Sequence, residues 1–179
     1  MDEDPYEHKP SPMDGLFKAI KISYPKDDKL RALLAETDPK ALSEKDPESG
    51  DTPITYAADK GHIRGLVLML EHKGDPNARN EFNDSPLHSA MRGNQPDAVK
   101  YLLKHKADVL NCGTELCDPL QYAAEHCCVP IVEMMLEAGG NPDRGTVTAR
   151  QYVANALKTN PTNRRYMGMA AAIEKYPAK

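Results

Sequence analysis

Proline, apolar residues and alanine recur through the middle of this chain with a fixed step of 33 residues. Each copy opens with a residue able to cap a helix, then proline, then an apolar residue and, four residues after the proline, alanine. The aligned prolines are Pro53, Pro86 and Pro119, and the aligned alanines are Ala57, Ala90 and Ala123. Three consecutive copies of one period indicate stacked repeats rather than one closed core.

Each copy predicts two short helices. Thr52 can cap the first helix, and Pro53 suits its first turn, where the missing N–H has no intrahelical partner. Gly61 can end this helix in the left-handed conformation. The second helix is expected to face the stack with its apolar residues, which are Ile63, Leu66, Val67, Met69 and Leu70. The later copies place Val99, Leu102 and Leu103, and then Ile131, Val132, Met135 and Leu136, in the same way.

The two ends of the chain carry weaker forms of this pattern. A helix is predicted to begin at Asp14, with Asp14 as its cap, and a second helix follows Pro25. Their expected inward residues are Leu16, Phe17, Ile20, Leu30, Leu33 and Leu34. At the other end Thr148 opens a last unit, whose second helix is predicted over residues 163–176 with Met167, Ala170, Ala171 and Ile173 inward. Its outer face is expected in solvent through Arg164, Arg165 and Lys175.

We therefore divide the chain into a flexible N-terminal arm, residues 1–13, and one repeat domain, residues 14–179. Within the domain, residues 14–50 form a degenerate first repeat. The clear repeats are 51–83, 84–116 and 117–145, and residues 146–179 form a C-terminal capping repeat. The expected fold class is all-α, an α-solenoid.

Composition excludes some classes of protein. The chain has no run of about 18 apolar residues, so no membrane span is predicted. Its N-terminus is acidic and polar, unlike a secretory signal peptide, and its four cysteines are then expected to be reduced thiols. These features predict a cytoplasmic chain, with the nucleus as a further compartment. The formal net charge of −4 hides an acidic body and a basic end, because residues 144–179 carry seven basic and one acidic side chain.

The repeated phrase resembles that of the ankyrin-repeat family, Thr-Pro-Leu-His-x-Ala followed by a Val-Val-x-Leu-Leu helix and Gly-Ala-Asp-x-Asn. Residues 52–62, 85–94 and 118–127 carry the first part. The resemblance implies helix-turn-helix units joined by β-hairpin-like loops, and a non-catalytic protein that binds other proteins. It also places Asn77 at a turn position that is a target of asparaginyl hydroxylation in animals. The alternative is a turn Asn that bonds its own backbone.

No sequence motif supports catalysis or a cofactor. The chain lacks a nucleophile elbow, a P-loop, a dinucleotide-binding glycine pattern and a zinc-protease motif. Thiol and imidazole ligands cluster in the fourth repeat, but zinc sites use ligand pairs such as Cys-x-x-Cys. Here Cys112 and Cys117 are separated by four residues, and Cys127 and Cys128 are adjacent, so their side chains diverge. We predict thiols that fill space, with a metal or redox role as the alternative. The residues concerned are Cys112, Cys117, His126, Cys127 and Cys128.

The resemblance implies that a partner binds the hairpin tips and the exposed side of each first helix. Phe82, one of only two Phe, stands on a tip where no core position requires it. The expected partner is another protein, nucleic acid is not expected, and the chain is expected to be a monomer. The alternative is binding of nucleic acid or an anionic surface through the basic C-terminal repeat. The predicted protein-binding residues are Asp59, Lys60, Arg79, Glu81, Phe82, Asp84, Arg92, Thr114, Glu115, Glu125 and His126.

Overall fold

The computed structural model describes residues 12–21, 27–111 and 118–176, without the side chains of residues 12–14, 21, 27 and 29. This part of the chain contains ten α-helices in five consecutive pairs and one short 3-10 helix at Pro39–Ser43. The pairs are α1 Pro12–Lys21 and α2 Asp27–Glu36; α3 Pro53–Asp59 and α4 Ile63–Glu71; α5 Pro86–Arg92 and α6 Pro96–Lys104; α7 Pro119–His126 and α8 Val129–Glu137; α9 Ala149–Thr159 and α10 Arg164–Glu174.

The helix pairs stack in two layers. The first helices pack in the series α1, α3, α5, α7 and α9, and the second helices pack in the series α2, α4, α6, α8 and α10. The buried side chains form one continuous core that runs from Leu16 in α1 to Ile173 in α10. An all-α solenoid is therefore confirmed, with each pair buried mainly against its neighbours.

The repeated phrase begins each first helix as the sequence predicts. Thr52 Oγ1 accepts a hydrogen bond from the N–H of Thr55, and Thr55 Oγ1 accepts one from the N–H of Thr52. Ser85 and Asp118 cap the next two first helices, and the prolines occupy the first turn. The aligned alanines are fully buried, so small side chains allow the close approach between first helices.

The first helices end in different ways. Gly61 has a left-handed backbone with φ of 64°, and Asn94 takes the equivalent position with φ of 50°. Asn94 is tolerated because short polar side chains enter this region at modest cost. Its Oδ1 also accepts a hydrogen bond from the N–H of Cys128, at 3.0 Å, so this helix end contacts the following repeat. Cys127, the next equivalent, has an extended backbone instead.

Three expectations about the helices are wrong. Helix α1 begins at Pro12, so Asp14 lies inside the helix and not at its cap. In α4 Leu68 is buried along with the predicted Leu66, Met69 and Leu70, whereas Val67 is only half-buried. In α10 Met169 and Ala172 are buried, while Met167 and Ala171 are exposed, because helix α10 meets α8 through a face shifted from the predicted one.

The pairs are joined by loops that we call fingers: finger 1 (residues 44–52), finger 2 (72–85), finger 3 (105–118, of which 112–117 lie outside the described residues) and finger 4 (138–148). The described parts of these fingers contain no β-strand. They are held by turn hydrogen bonds such as that from the N–H of Asn80 to the carbonyl of Asp84, at 3.1 Å. The exposed side of α3, α5 and α7 is called the inner face below.

Candidate protein-binding surface

Finger 2 is organised by the amide of Asn80, which is almost completely buried. Its Oδ1 accepts hydrogen bonds from the N–H of Phe82, at 3.0 Å, and from the N–H of Asp84, at 2.9 Å. Its Nδ2 donates to Asp51 in finger 1 at 2.9 Å. One side chain therefore shapes the tip of finger 2 and ties it to finger 1. Sequence reasoning missed Asn80, although an Asn that can bond the backbone two residues later is a turn signal.

The tip of finger 2 lies against the glycine of finger 1. The N–H of Glu81 donates to the carbonyl of Gly50 at 2.8 Å. Gly50 has a positive φ of 71°, and a Cβ placed there would lie 2.9 Å from the Cβ of Glu81 and 3.4 Å from the ring of Phe82. Glycine is therefore required at this position both by its backbone conformation and by the neighbouring tip.

Phe82 remains exposed despite this contact. The residue is 58% exposed to solvent, whereas Phe17, the other Phe of the chain, is 4% exposed in the core. Glu81 beside it is exposed as well. The tip of finger 2 thus presents an aromatic ring and a carboxylate on a backbone that is held by hydrogen bonds to the carbonyl of Gly50 and to the side chain and backbone of Asn80.

Side chains also connect successive fingers. Asn77 Oδ1 accepts from the N–H of Asp108 at 2.8 Å, so it bonds the next finger and not its own backbone. Arg79 Nη1 donates to the carbonyl of Asn83 at 2.8 Å, and its Nη2 donates to the carbonyl of Asn111 in finger 3. Arg79 is therefore a bridge between fingers 2 and 3, in contrast to its expected place beside Phe82 as a contact residue.

The charged residues predicted on the inner face bind one another. The guanidinium of Arg92 contacts Asp59 of the previous repeat at 3.1 Å and Asp84 of its own repeat at 2.9 Å. Lys60 Nζ lies 2.8 Å from the other carboxylate oxygen of Asp59. Burial opposes ionisation of Asp59, but hydrogen bonds from Lys60 and Arg92 outweigh it and hold the pKa of Asp59 below its ordinary value.

The expectation that Asp84 is exposed is wrong. Asp84 is buried behind Arg92, and its Oδ1 lies 3.7 Å from Nε2 of His88. Burial lowers the pKa of His88, with Arg92 and Arg79 acting in the same direction and Asp84 opposing them. Asp84 therefore holds Arg92 in place, and a partner would meet the guanidinium and not this carboxylate.

A row of rings crosses from the third repeat to the fourth. The ring of His88 lies 4.5 Å from that of Tyr122, and the ring of Tyr122 lies 4.7 Å from that of His126. His126 is exposed, Tyr122 is half-buried, and His126 Nε2 lies 3.5 Å from the carboxylate of Glu125. Glu125 and His126 are thus together at one edge of the inner face, and Tyr122 is a member of this surface that the sequence analysis did not include.

Two predicted binding residues, Thr114 and Glu115, lie outside the described residues, as do Cys112 and Cys117. Cys127 is buried, its thiol lies 3.3 Å from the carbonyl of Met91, and burial raises its pKa to about 12. A thiol of this kind is a poor nucleophile at neutral pH. Within the described ranges no group of three or more potential ligands could hold a metal ion.

The basic C-terminal repeat uses several of its cations internally. Arg165 Nη2 donates to the carbonyls of Ala124 and Glu125 at 3.0 and 2.8 Å, so its expected place in solvent is wrong. Arg150 binds Asp143, and Arg144 donates to the carbonyl of Leu110 in finger 3. Arg144, Arg150 and Arg165 are thus among the seven basic side chains of residues 144–179 that already contact other parts of the chain. Binding of nucleic acid or an anionic surface through this repeat stays a prediction.

The stacked helix pairs and connected fingers define a repeat scaffold. A family model, described as ankyrin repeats in three copies, matches residues 16–111 and 64–146. The chain therefore belongs to the ankyrin-repeat family. Ankyrin repeats are generally protein-interaction modules and are typically non-catalytic. In the part of the chain that the structure describes, no helix has both the length and the apolar run needed to cross a bilayer.

Similar segments occur in much larger proteins. The chain is 38% identical over 77 residues, 42% of its length, to Alpha-latroinsectotoxin-Lt1a of Latrodectus tredecimguttatus, where the match covers 6% of the toxin. It is 34% identical over 62 residues, 35% of its length, to the human Transient receptor potential cation channel subfamily A member 1, covering 6% of that channel. It is 29% identical over 112 residues, 58% of its length, to mouse Ankyrin repeat and SOCS box protein 14, covering 19% of it.

Proposed function

We propose that this chain is a non-catalytic module that binds another protein through the finger tips and the inner face, with Phe82 as its anchor. The single observation that carries the proposal is the exposed ring of Phe82 on the finger 2 tip. Large aromatic side chains that a partner desolvates contribute most of the energy at many interfaces. The membership in a family of interaction modules supports the same function.

The remaining contacts of the surface would supply specificity. Glu81 beside the anchor, and Glu125 with His126 at the far edge of the inner face, offer acceptors to a basic or mixed partner. Arg92 offers a guanidinium whose orientation is set by Asp59 and Asp84 before binding. A partner that reached all of these groups would span the second, third and fourth repeats.

The test is capture of a partner from an extract of the source cells, with identification by mass spectrometry. Phe82→Ala should weaken binding by roughly 30-fold, because loss of an interface anchor costs about 2 kcal/mol. Its melting temperature should stay within about 2 °C of wild type, because Phe82 makes no core contact. The matched control is Met167→Ala, since Met167 is exposed to a similar degree on α10.

A partner lost with Phe82→Ala and retained with Met167→Ala would support the proposal. Equal capture by the wild type, Phe82→Ala and Met167→Ala would mean that the binding surface lies elsewhere. A captured partner that is released equally by both substitutions would likewise count against Phe82 as the anchor.

A further inference from the structure

A groove lies between the second helices of the first two repeats. It consists of two adjoining cavities between α2 and α4, with volumes of about 230 and 120 Å³, which share Arg31 and Leu68. The smaller cavity is mostly apolar, with Ile63 and Val67 in its wall. The larger cavity is mixed: Leu34 and Ala35 line it together with Glu71 and His72. Arg31 and Arg64 stand at its rim and are both exposed.

The sequence of α4 departs from the repeat at this groove. Val67 corresponds, at steps of 33 residues, to Lys100 in α6 and Glu133 in α8. Arg64 corresponds in the same way to Asp97. The second repeat therefore has an apolar side chain where the later repeats have charged ones, and a cation where the next repeat has an anion. A half-buried apolar position of this kind is what a covering segment requires.

The residues that precede α1 have the complementary chemistry. Residues 1–11 contain the acidic residues Asp2, Glu3, Asp4 and Glu7, a single basic residue, and one aromatic residue, Tyr6. An acidic segment with one aromatic side chain matches the smaller, apolar cavity, which is lined by Arg31 and Arg64 and lies apart from Glu71.

The topology places the start of α1 at the end of α2 that lines the larger cavity. Helices α1 and α2 pack together and are joined by five residues, so they run antiparallel. Pro12, where α1 begins, therefore lies at the same end of the pair as Leu34 and Ala35, which line the larger cavity. Tyr6 precedes Pro12 by six residues and can reach about 20 Å from it.

We infer that residues 1–11 of this chain bind the α2–α4 groove, with Tyr6 in its apolar part and the acidic residues beside Arg31 and Arg64. This contact would cover the half-buried apolar side chains of Ile63 and Val67 at the junction of the first two repeats. It lies on the second helices and so is separate from the finger tips proposed to bind a partner. Its test therefore does not depend on that partner.

The experiment replaces Tyr6 of the full chain with the photo-crosslinker p-benzoylphenylalanine and maps the crosslinks by mass spectrometry. We expect crosslinks within one chain, to residues 31–35 and 63–68. Crosslinks confined to other helices, or none above the level of a denatured sample, would overturn the inference. A crosslinked dimer would also overturn it, because the groove would then hold the segment of a second copy.

Charge reversal tests the ionic part of the contact. Arg31→Glu combined with Arg64→Glu should lower the yield of groove crosslinks roughly fivefold, since two exposed ion pairs are lost. Changing Asp2 and Asp4 to Lys in that variant should restore the yield. The matched control, Lys158→Glu with Arg164→Glu at the opposite end, should leave it unchanged. Val67→Lys, which introduces the residue found at Lys100 in the next repeat, should reduce the crosslink yield without affecting the fold. An unaltered yield both in the double arginine variant and in Val67→Lys would contradict the inference.

Discussion

At the scale of single residues, the exposed ring of Phe82 depends on a glycine in a different finger. Gly50 has a left-handed backbone, and a side chain there would meet both Glu81 and Phe82. Gly139 provides a matched comparison, because its φ is 99° but a Cβ would contact nothing within 4 Å. Comparing an alanine substitution at each glycine therefore separates two free-energy costs: the strain of a left-handed backbone, and the displacement of the finger 2 tip.

Gly50→Ala should therefore destabilise the protein by about 2 kcal/mol or more, and Gly139→Ala by about 1 kcal/mol, since a left-handed backbone costs a non-glycine residue roughly 1–2 kcal/mol. The measurement is the free energy of unfolding in urea. Under the proposed function, Gly50→Ala should also weaken partner capture, whereas Gly139→Ala should not. Equal losses of stability in the two variants would mean that the tip of finger 2 moves aside freely.

His88 should make stability depend on pH. Burial lowers the pKa of its imidazole below the ordinary value of 6.5, and the charges of Arg92 and Arg79 act in the same direction while Asp84 opposes them. The unfolded chain then takes up the proton first, so stability is complete above about pH 6.5 and falls as the pH drops below it. His88→Gln should flatten the change in melting temperature between pH 7.5 and 5.5. An unaltered slope in the variant would show that other groups cause the dependence.

At the scale of helices, Arg165 connects the capping repeat to the fourth repeat. It lies in the first turn of α10, and its guanidinium donates to carbonyls at the C-terminal end of α7: Ala124, Glu125 and Cys127. These carbonyls lack partners within their own helix, and a cation is also favoured at a helix C-terminus. Arg165 therefore caps a helix some 40 residues earlier in the chain.

We predict that Arg165→Met lowers the free energy of unfolding by about 1–3 kcal/mol, because hydrogen bonds to a charged donor are lost while the aliphatic packing is kept. Arg164→Met is the matched control, since Arg164 is adjacent and exposed, and its effect should stay within about 0.5 kcal/mol. The measurement is urea unfolding. Comparable effects of the two substitutions would contradict the capping role of Arg165.

These elements show which features could be predicted from sequence. The start of a helix at Pro53 and the burial of Ala57 depend on neighbouring residues in the sequence. The repeated pattern therefore predicts both the helix starts and the buried alanines. Met167 and Met169 lie on different faces of α10, and alternating small and apolar residues left its inward face ambiguous. The burial of Asp84 could not be predicted, because Arg92 covers it only once the helices are packed. The role of Arg165 depends on its contact with the neighbouring repeat, and no local sequence pattern predicts a contact between residues 40 positions apart.

At the scale of the whole molecule, the core is a single cluster shared by all five helix pairs. Neighbouring repeats in a solenoid stabilise one another, so unfolding is cooperative when the interfaces are strong. Leu16→Ala in α1 and Ile173→Ala in α10 should each cost about 2–4 kcal/mol, because both side chains are almost completely buried. Both variants should shift one common urea transition, followed by circular dichroism. A second transition in either variant would indicate a terminal repeat that unfolds alone.

The side chains that join successive fingers have a mechanical consequence. Asn77 and Arg79 bond finger 3, and Arg144 of finger 4 bonds it from the other side. We therefore expect finger 2, the described part of finger 3 and finger 4 to keep a fixed spacing from one another. Under the proposed function, a partner anchored at Phe82 would find its next contacts at a set distance along the row. The molecule would then select partners by the spacing of their contact side chains as well as by the chemistry of those side chains.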